Sequence, residues 1–237
     1  DHVKLIVLDE ADDILSIGYS ETVLEFLSKI KGKAQICLIS ATMSKSVFSV
    51  TDTFLNNPTK VLLKKNQVAV DVILQFYINV EIEDYKFETL LDLYNIISTS
   101  QTIIFRNTIR KVTWLNDKLL ENNFSITTVH GQMNQQERNN IVNEFRQGKT
   151  RLLLTTDLLA RGIDITTVSL VINYDLPSAR ETYIHRIGRS GRFGKKGVSI
   201  TLVKMEDHMD VKNFNKMKNY YNMNIKELPE NISDYLN

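Results

Sequence analysis

The sequence contains a single cysteine, Cys37, among 237 residues. An internal disulfide is therefore excluded, and with it every small fold stapled by disulfide bridges. The apolar run around it, Ile36-Cys37-Leu38-Ile39, predicts a buried small hydrophobe. Three prolines and nine glycines are too few for a collagen-like, linker-like or low-complexity chain. No apolar run approaches the ~20 residues that cross a bilayer, and no signal-peptide pattern is present. Charge of one sign is missing as well: 29 Lys and Arg against 28 Asp and Glu leave a formal net charge of +1. No global field draws the chain to a polyanion, so any such site must be local.

What remains is the composition of a globular protein, 43% hydrophobic and 24% charged, with length for one large domain or two small ones. Apolar runs rich in β-branched residues alternate with amphipathic runs. That is the α/β pattern of parallel strands joined by helices. The runs predict strands at Leu5–Leu8, Gln35–Ser40, Val61–Leu63, Gln75–Val80, Thr102–Phe105, Ile126–Val129, Arg151–Thr155, Leu170–Asn173 and Val198–Val203. Continuous stretches such as Leu152-Leu153-Leu154 suit a sheet covered on both faces. Helices are expected at about Ile14–Ile30, Ser44–Leu55, Asp84–Ser98 and Thr108–Asn122, where Val112, Leu115 and Leu119 share one face. Asn134 with Glu137, and Ser178 with Glu181, each read as a capping box that opens a further helix. Gly148 then ends the helix that Asn134 begins. After Asp207 the spacing predicts a helix followed by an irregular end.

A polar, charged break at Lys64-Lys65-Asn66-Gln67 predicts a linker over 64–71. Residues 1–63 before it hold three strands and two helices, too little for a doubly wound domain. Residues 72–237 after it hold six strands with helices between, which is enough. There is no initiator Met, and Asp1-His2 leads at once into an apolar strand. We read the sequence as a piece of something longer.

Three stretches carry candidate chemistry. The first strand runs into Asp9-Glu10-Ala11-Asp12. Acids there project from the carboxyl end of a strand, where open α/β sheets bind ligands. They serve either Mg²⁺ and a hydrolytic water or simply the amino-terminal dipole of a helix. The second strand runs into Ser40-Ala41-Thr42, whose hydroxyls either cap the next helix or link a nucleotide site to a second domain. The third stretch, Tyr183 to Gly194, packs His185, Arg186, Arg189 and Arg192 among glycines. In a helix His185 and Arg189, and Arg189 and Arg192, would share a face. Crowded guanidinium groups require an anion, either phosphate or the chain's own carboxylates.

These motifs stand in one order: Asp-Glu-Ala-Asp, Ser-Ala-Thr, then His-Arg-Ile-Gly-Arg-Ser-Gly-Arg. The combination resembles the DEAD-box RNA helicases. Between them lie Ile104-Phe105-Arg106-Asn107-Thr108, His130-Gly131 with Gln135-Gln136-Glu137-Arg138, and Thr155-Thr156-Asp157-Leu158-Leu159-Ala160-Arg161-Gly162-Ile163-Asp164. Six motifs in order cover essentially the whole chain. Phe76 to Leu93, Ile172 to Pro177 and Glu227 to Glu230 look most like the subgroup of translation-initiation, exon-junction and ribosome-assembly helicases.

The resemblance implies two RecA-like domains with ATP and Mg²⁺ between them: 1–63 the end of a first domain, 72–237 a complete second one. Asp9 and Glu10 would serve Mg²⁺ and the water. Asp12, Ser40 and Thr42 would couple hydrolysis to strand opening. Asp164 would bind the ribose, with Arg161 beside the cleft. Arg189 and Arg192 would be arginine fingers, with His185 and Arg186 as interdomain supports. Asn107, Thr108, His130, Gly131, Arg138 and Thr156 would line a groove for single-stranded or duplex RNA, largely without regard to sequence. Protein partners and a cytoplasmic or nuclear address would follow, with no membrane association.

Two departures stand out. The family's G-x-x-x-x-G-K-[ST] phosphate loop occurs nowhere in the 237 residues. By themselves they are not expected to hydrolyse ATP; RNA-stimulated turnover abolished by Glu10→Gln would overturn this. Arg106 occupies a position where the family has a small or apolar residue. It would add a phosphate contact or point into solvent. The competing classes are an ATP-driven helicase, an ATP-gated RNA clamp, and a partner-binding module without hydrolysis.

Overall fold

A computed structural model describes residues 3–15, 20–43, 45–62, 72–97, 101–159, 165–191 and 196–229. The chain divides into two compact units, Asp1–Leu63 and Lys64–Asn237. The expected linker, 64–71, lies outside the described residues.

The first unit runs strand Leu5–Leu8 (β1), one-turn helix Ala11–Ile14 (α1), helix Ser20–Ile30 (α2), strand Gln35–Leu38 (β2) and helix Lys45–Phe54 (α3). The single helix expected over 14–30 is thus two, with 16–19 outside the described residues. β1 and β2 pair in parallel, from Leu5 opposite Gln35 to Leu8 opposite Leu38. Only one face of the pair packs: Leu8, Ile36 and Leu38 lie against Ala11, Leu15, Leu27, Val47 and Val50. Leu5, Val7 and Ile39 are about half exposed. Cys37, opposite Val7, is exposed rather than buried. The two-residue period of a strand, not the hydropathy of its neighbourhood, decides which side a residue takes. The strand expected at Val61–Leu63 is also corrected. Val61 and Leu62 are exposed irregular chain, and Leu63 is outside the described residues.

Among the described residues the second unit holds seven strands: Ile73–Asn79 (β3), Gln101–Phe105 (β4), Ile126–Val129 (β5), Leu152–Thr155 (β6), Val168–Asn173 (β7), Gly197–Val203 (β8) and Ile225–Glu227 (β9). They form one sheet in the order β5-β6-β4-β7-β8-β3-β9, parallel throughout. β9 falls in the stretch expected to be irregular. With one buried residue, Ile225, it carries no alternation to read. The helices are Tyr85–Ile97 (α4), Ile109–Glu121 (α5), Gln135–Arg146 (α6), Arg180–Ile187 (α7) and His208–Tyr221 (α8). On one face Leu90, Leu93, Val112, Leu115 and Leu119 from α4 and α5 pack on Ile104, Leu154 and Ile172. On the other, α6 packs Val142 and Phe145 on Ile103, Phe105, Leu153 and Val171. Tyr183, Ile184 and Ile187 of α7 join Phe214, Met217 and Tyr221 of α8 over Ile73 and Val203. Helices on both faces are what continuous apolar strands require.

Caps follow the sequence in one of the two expected boxes. The Asn134 side chain accepts from the Glu137 N–H at 2.8 Å. Gly148, with φ of 77°, turns the chain away past the end of α6. The Ser178–Glu181 box does not form. α7 begins one residue later, with Ala179 at the N-cap and no side-chain bond there, and Glu181 instead accepts from Arg180 Nε at 2.9 Å.

Candidate functional site

The sheet order sets where side chains can converge. From β4 the chain moves outward to β5 and β6, and from β7 it moves to β8 on the other side. The carboxyl ends of β4 and β7 are therefore a topological switch point, the usual ligand crevice of such sheets. In this protein the chain's own side chains fill it. Arg106, directly after β4, is buried, not solvent-pointing. Its Nε donates to Asp175 Oδ2 at 3.2 Å, and its Nη2 to Glu83 Oε1 at 3.2 Å. The guanidinium lies 4.3 Å from the Tyr174 ring centroid and 5.6 Å from that of Trp114. Lys86, also buried, reaches Glu83 at 2.9 Å, and Lys111 reaches Asp175 at 3.4 Å. Burial pushes the Asp175 carboxyl up, but Arg106, the Asn107 N–H and Lys111 outweigh it and hold the group below its ordinary range. Burial raises the Tyr174 phenol, with Arg106 opposing.

Arg186 closes the same cluster from α7. It is fully buried. Its Nε donates to Asp157 Oδ1 at 2.5 Å, Nη1 to the Asp175 carbonyl at 2.8 Å and Nη2 to Asn107 Oδ1 at 2.7 Å. Asn107 in turn donates its N–H to Asp175 Oδ2 at 3.0 Å and its Nδ2 to the Leu176 carbonyl at 2.9 Å. The anion that the arginine cluster demands is thus, for Arg186, a carboxylate of this chain. Arg189 lies beyond the helix end, not on its face. It is buried, and its Nε donates to the His185 carbonyl at 3.2 Å, a favourable place for a cation at a helix carboxyl end. His185 is buried too. Two glycines fix this segment: Gly191 takes φ of 70°, and a Cβ on Gly197 would stand 2.5 Å from Gly191 N and 2.7 Å from Ser190 Oγ. Arg161, Asp164 and Arg192 lie outside the described residues.

The other expected residues line the same edge. Asn107 and Thr108 follow β4, His130 and Gly131 follow β5, and Thr156 follows β6. Arg138 stands in the first turn of α6. Since β5, β6 and β4 are neighbours, these positions form a row roughly 10 Å wide. Thr108 and Gly131 are exposed, while Thr156, His130 and Arg138 are half-buried. Thr108 also caps α5, accepting from Lys111 N–H at 3.3 Å.

In the first unit Asp12 is buried. Its Oδ1 accepts from Ser40 Oγ at 2.7 Å and its Oδ2 from Thr42 Oγ1, while its own N–H donates to Ser40 Oγ at 3.2 Å. The hydroxyls join two strand ends through a carboxylate. Asp9 is exposed, and its Oδ1 accepts the Glu10 N–H at 2.9 Å. Glu10 sits at φ of 50°, a left-handed conformation costly for a non-glycine residue and frequent at functional sites.

Sequence reasoning did not single out Glu83, Lys86, Asp157 or Asp175. Asp175 follows an apolar strand as Asp9 does, so the same strand-end rule points to it.

The motif positions gathered along the carboxyl edge of a helix-covered parallel sheet define a class of protein. Comparison with known proteins matches residues 1–50 to the DEAD/DEAH box helicase model and 85–194 to the helicase conserved C-terminal domain. The chain belongs to the DEAD-box helicase family, and its second unit is a RecA-like domain. Eukaryotic initiation factor 4A of Caenorhabditis elegans is 49% identical over 234 residues, 99% of this chain and 58% of the relative. The ATP-dependent RNA helicase eIF4A of Schizosaccharomyces pombe is 48% identical over 236 residues, 100% of this chain and 59% of the relative. The chain thus spans about three fifths of the length of these curated relatives. Among solved structures, S. cerevisiae Dbp5 bound to RNA and ADP BeF3 superposes with a TM-score of 0.89 at 36% identity, over 98% of this chain and 61% of that one. The C-terminal domain of the DEAD-box protein Dbp5 gives 0.62 at 38% identity, over 70% of this chain and 95% of that one. Among the described residues no helix is long and apolar enough to cross a membrane.

Proposed function

We propose that this chain is part of an ATP-dependent RNA helicase that couples ATP binding and hydrolysis to RNA clamping and local duplex opening. Residues 1–63 form the end of a first RecA-like domain, 64–71 a linker and 72–237 the second RecA-like domain. The observation that carries the reading is the row of strand-end positions on β5, β6 and β4, which family members are expected to use for RNA. Asn107, Thr108, His130, Gly131, Arg138 and Thr156 would hold the phosphates and sugars of one strand. Such contacts bind without reading sequence, and the near-neutral net charge makes local basic groups such as Arg138 decisive.

ATP with Mg²⁺ would supply a phosphoryl group whose transfer to water drives release. An exposed carboxylate with one oxygen occupied, as Asp9 has, suits Mg²⁺, which takes one or two carboxylates alongside phosphate oxygens. Glu10 beside it would hold the attacking water. Asp12, Ser40 and Thr42 would keep these acids fixed to the end of β2. Asp164 would hold the ribose and Arg161 would flank the cleft. Arg189 and Arg192 would neutralise charge on the transferring group, a role worth about 10³–10⁵ in rate. His185 would support the domain interface. RNA, protein partners and an intracellular address are part of the same proposal.

The test is Arg138→Ala in the 237-residue chain, read by fluorescence anisotropy with several unrelated RNA sequences. Affinity should fall by a similar factor, about 5- to 10-fold, for all of them, and the salt slope should drop by about one. A loss confined to one sequence would reject the backbone assignment.

A further inference from the structure

Tyr183 has no part in that scheme. It stands one turn before Arg186 on α7, so the two side chains share a helix face. It is fully buried in the cluster that α7 and α8 make over Ile73 and Val203. Its hydroxyl donates to Gln75 Oε1 on β3 at 3.1 Å. In the sheet register Gln75 stands beside Ser199, and Asn173 beside Thr201. Ser199 and Thr201 are two apart on one strand, so all four side chains point to the same face of the sheet. All four are buried. α7 therefore lies on a polar bed.

Burial does not require such a bed. Apolar side chains at these positions would hold a helix by hydrophobic contact alone. The polar ones offer more bonds than one setting of the helix uses. Asn173 Nδ2 donates to Thr201 Oγ1 at 3.2 Å, while Asn173 Oδ1 and Ser199 Oγ are enclosed and have no partner. Burial pushes the Tyr183 phenol up, and the nearby Thr201 and Ser199 hydroxyls pull against it. The Tyr183 hydroxyl thus has other partners within a short shift of α7, and the bond to Gln75 selects one arrangement. Arg186 pins the same helix face to Asp157, the Asp175 carbonyl and Asn107. Two polar pins, one on β3 and one past the ends of β4, β6 and β7, fix both the position and the rotation of an eight-residue helix.

We propose that Tyr183 and Gln75 are a positioning pair, whose bond sets the register of α7 on the sheet and so holds Arg186 against Asn107. The part that concerns RNA rests on the reading of Asn107 as a backbone contact. A buried hydrogen bond adds little net stability over an apolar pair of the same shape. It is directional, however, and separates settings that non-directional hydrophobic contact leaves nearly equal. The pair is buried and acts through Arg186. The consequence is that the arginine segment can be reset from β3, without touching an arginine.

The experiment compares the wild-type 237-residue chain with Tyr183→Phe and with Tyr183→Phe combined with Gln75→Met. Melting is followed by circular dichroism, the Arg186 Nε–H by nitrogen-edited NMR, and RNA affinity by anisotropy. Tyr183→Phe leaves Gln75 Oε1 unpaired, and melting should fall by about 3–6 °C. The double variant removes both polar partners and should melt within about 2 °C of the wild type. In both variants the Arg186 Nε–H, a single sharp signal in the wild type, should broaden or split. RNA affinity should drop in both by about 3- to 10-fold. A bond that serves stability alone gives a different pattern. A double variant that regains the wild-type Arg186 signal together with the melting temperature would overturn the proposal, as would an unchanged signal in both variants. A changed Arg186 signal with unchanged RNA affinity would keep the positioning pair and reject Asn107 as an RNA contact. Should Tyr183→Phe fail to fold, the double variant alone carries the comparison.

Discussion

Two carboxylates, Asp12 and Asp175, each tie the ends of two parallel strands, and they do it by opposite means. Asp12 is held by the hydroxyls of Ser40 and Thr42. Asp175 is held by Arg106, Lys111 and the Asn107 N–H, with Arg186 on its carbonyl. The first arrangement binds a buried charge with neutral dipoles and leaves Asp9 exposed beside it. The second binds charge with charge and engages Glu83, Asp157 and Asp175 alike. A neutral latch can be loosened at modest cost, whereas a buried ion network resists partial dismantling because each deletion strands another charge. The first unit keeps its strand ends joined with an acid left in solvent, the second keeps its strand ends rigid.

The sharpest way to break this contrast is Arg186→Ala. It strands Asp157, the Asp175 carbonyl and the Asn107 amide together. The expected loss is about 3–5 kcal/mol, toward the lower figure because Asp157 is 39% exposed and partly solvated. Urea unfolding followed by Trp114 fluorescence measures it, and a loss under about 1 kcal/mol would demote the network to ornament.

Asp175→Asn comes next, at about 2–3 kcal/mol near neutral pH, and it adds an acid signature. The folded-state pKa of Asp175 lies below its ordinary value. Its contribution is therefore complete above the unfolded value of about 4 and is lost as pH falls through the folded one. Melting temperature should drop more steeply below about pH 4 in the wild type than in the variant. Parallel curves would show that Asp175 is not what acid attacks.

Ser40→Ala should have the smallest effect, about 1–2 kcal/mol, since Thr42 still holds the second oxygen of Asp12. Amide hydrogen exchange should quicken around Ala11–Leu15 and leave the second unit unchanged. Faster exchange at β4 or β7 would mean the two latches are not independent.

Among the described residues, eight of the nine strands fall on runs legible in the sequence, because each carries apolar or β-branched residues bounded by polar ones. The failures have physical causes. The run around Cys37 is apolar on average, but the two-residue parity of β2 turns Cys37 outward with Val7. Val61–Leu63 had the composition of a strand, but composition does not supply a neighbouring ladder. β9 had a ladder in β3 and almost no composition. At the site, the row of Asn107, His130, Arg138 and Thr156 followed from motifs at strand ends. The fate of Arg106 did not, because its partners Asp175 and Glu83 are 69 and 23 residues away in sequence. Only the folded sheet order, which places β4 beside β7, decides between solvent and interior. The partners of Arg186 stay hidden in the sequence for the same reason: Asp157 and Asn107 meet it only once β4, β6 and α7 are in place.

Gly197 has a wider consequence. The arginine segment rests so closely on the start of β8 that the gap is set by a hydrogen atom where any other residue has a carbon. The setting of Arg189 is thus a matter of mechanical clearance as well as electrostatics. A methyl at 197 would act as a shim, tilting the segment without altering a single charge. Position 197 is accordingly a tuning point where reach, rather than chemistry, can be adjusted.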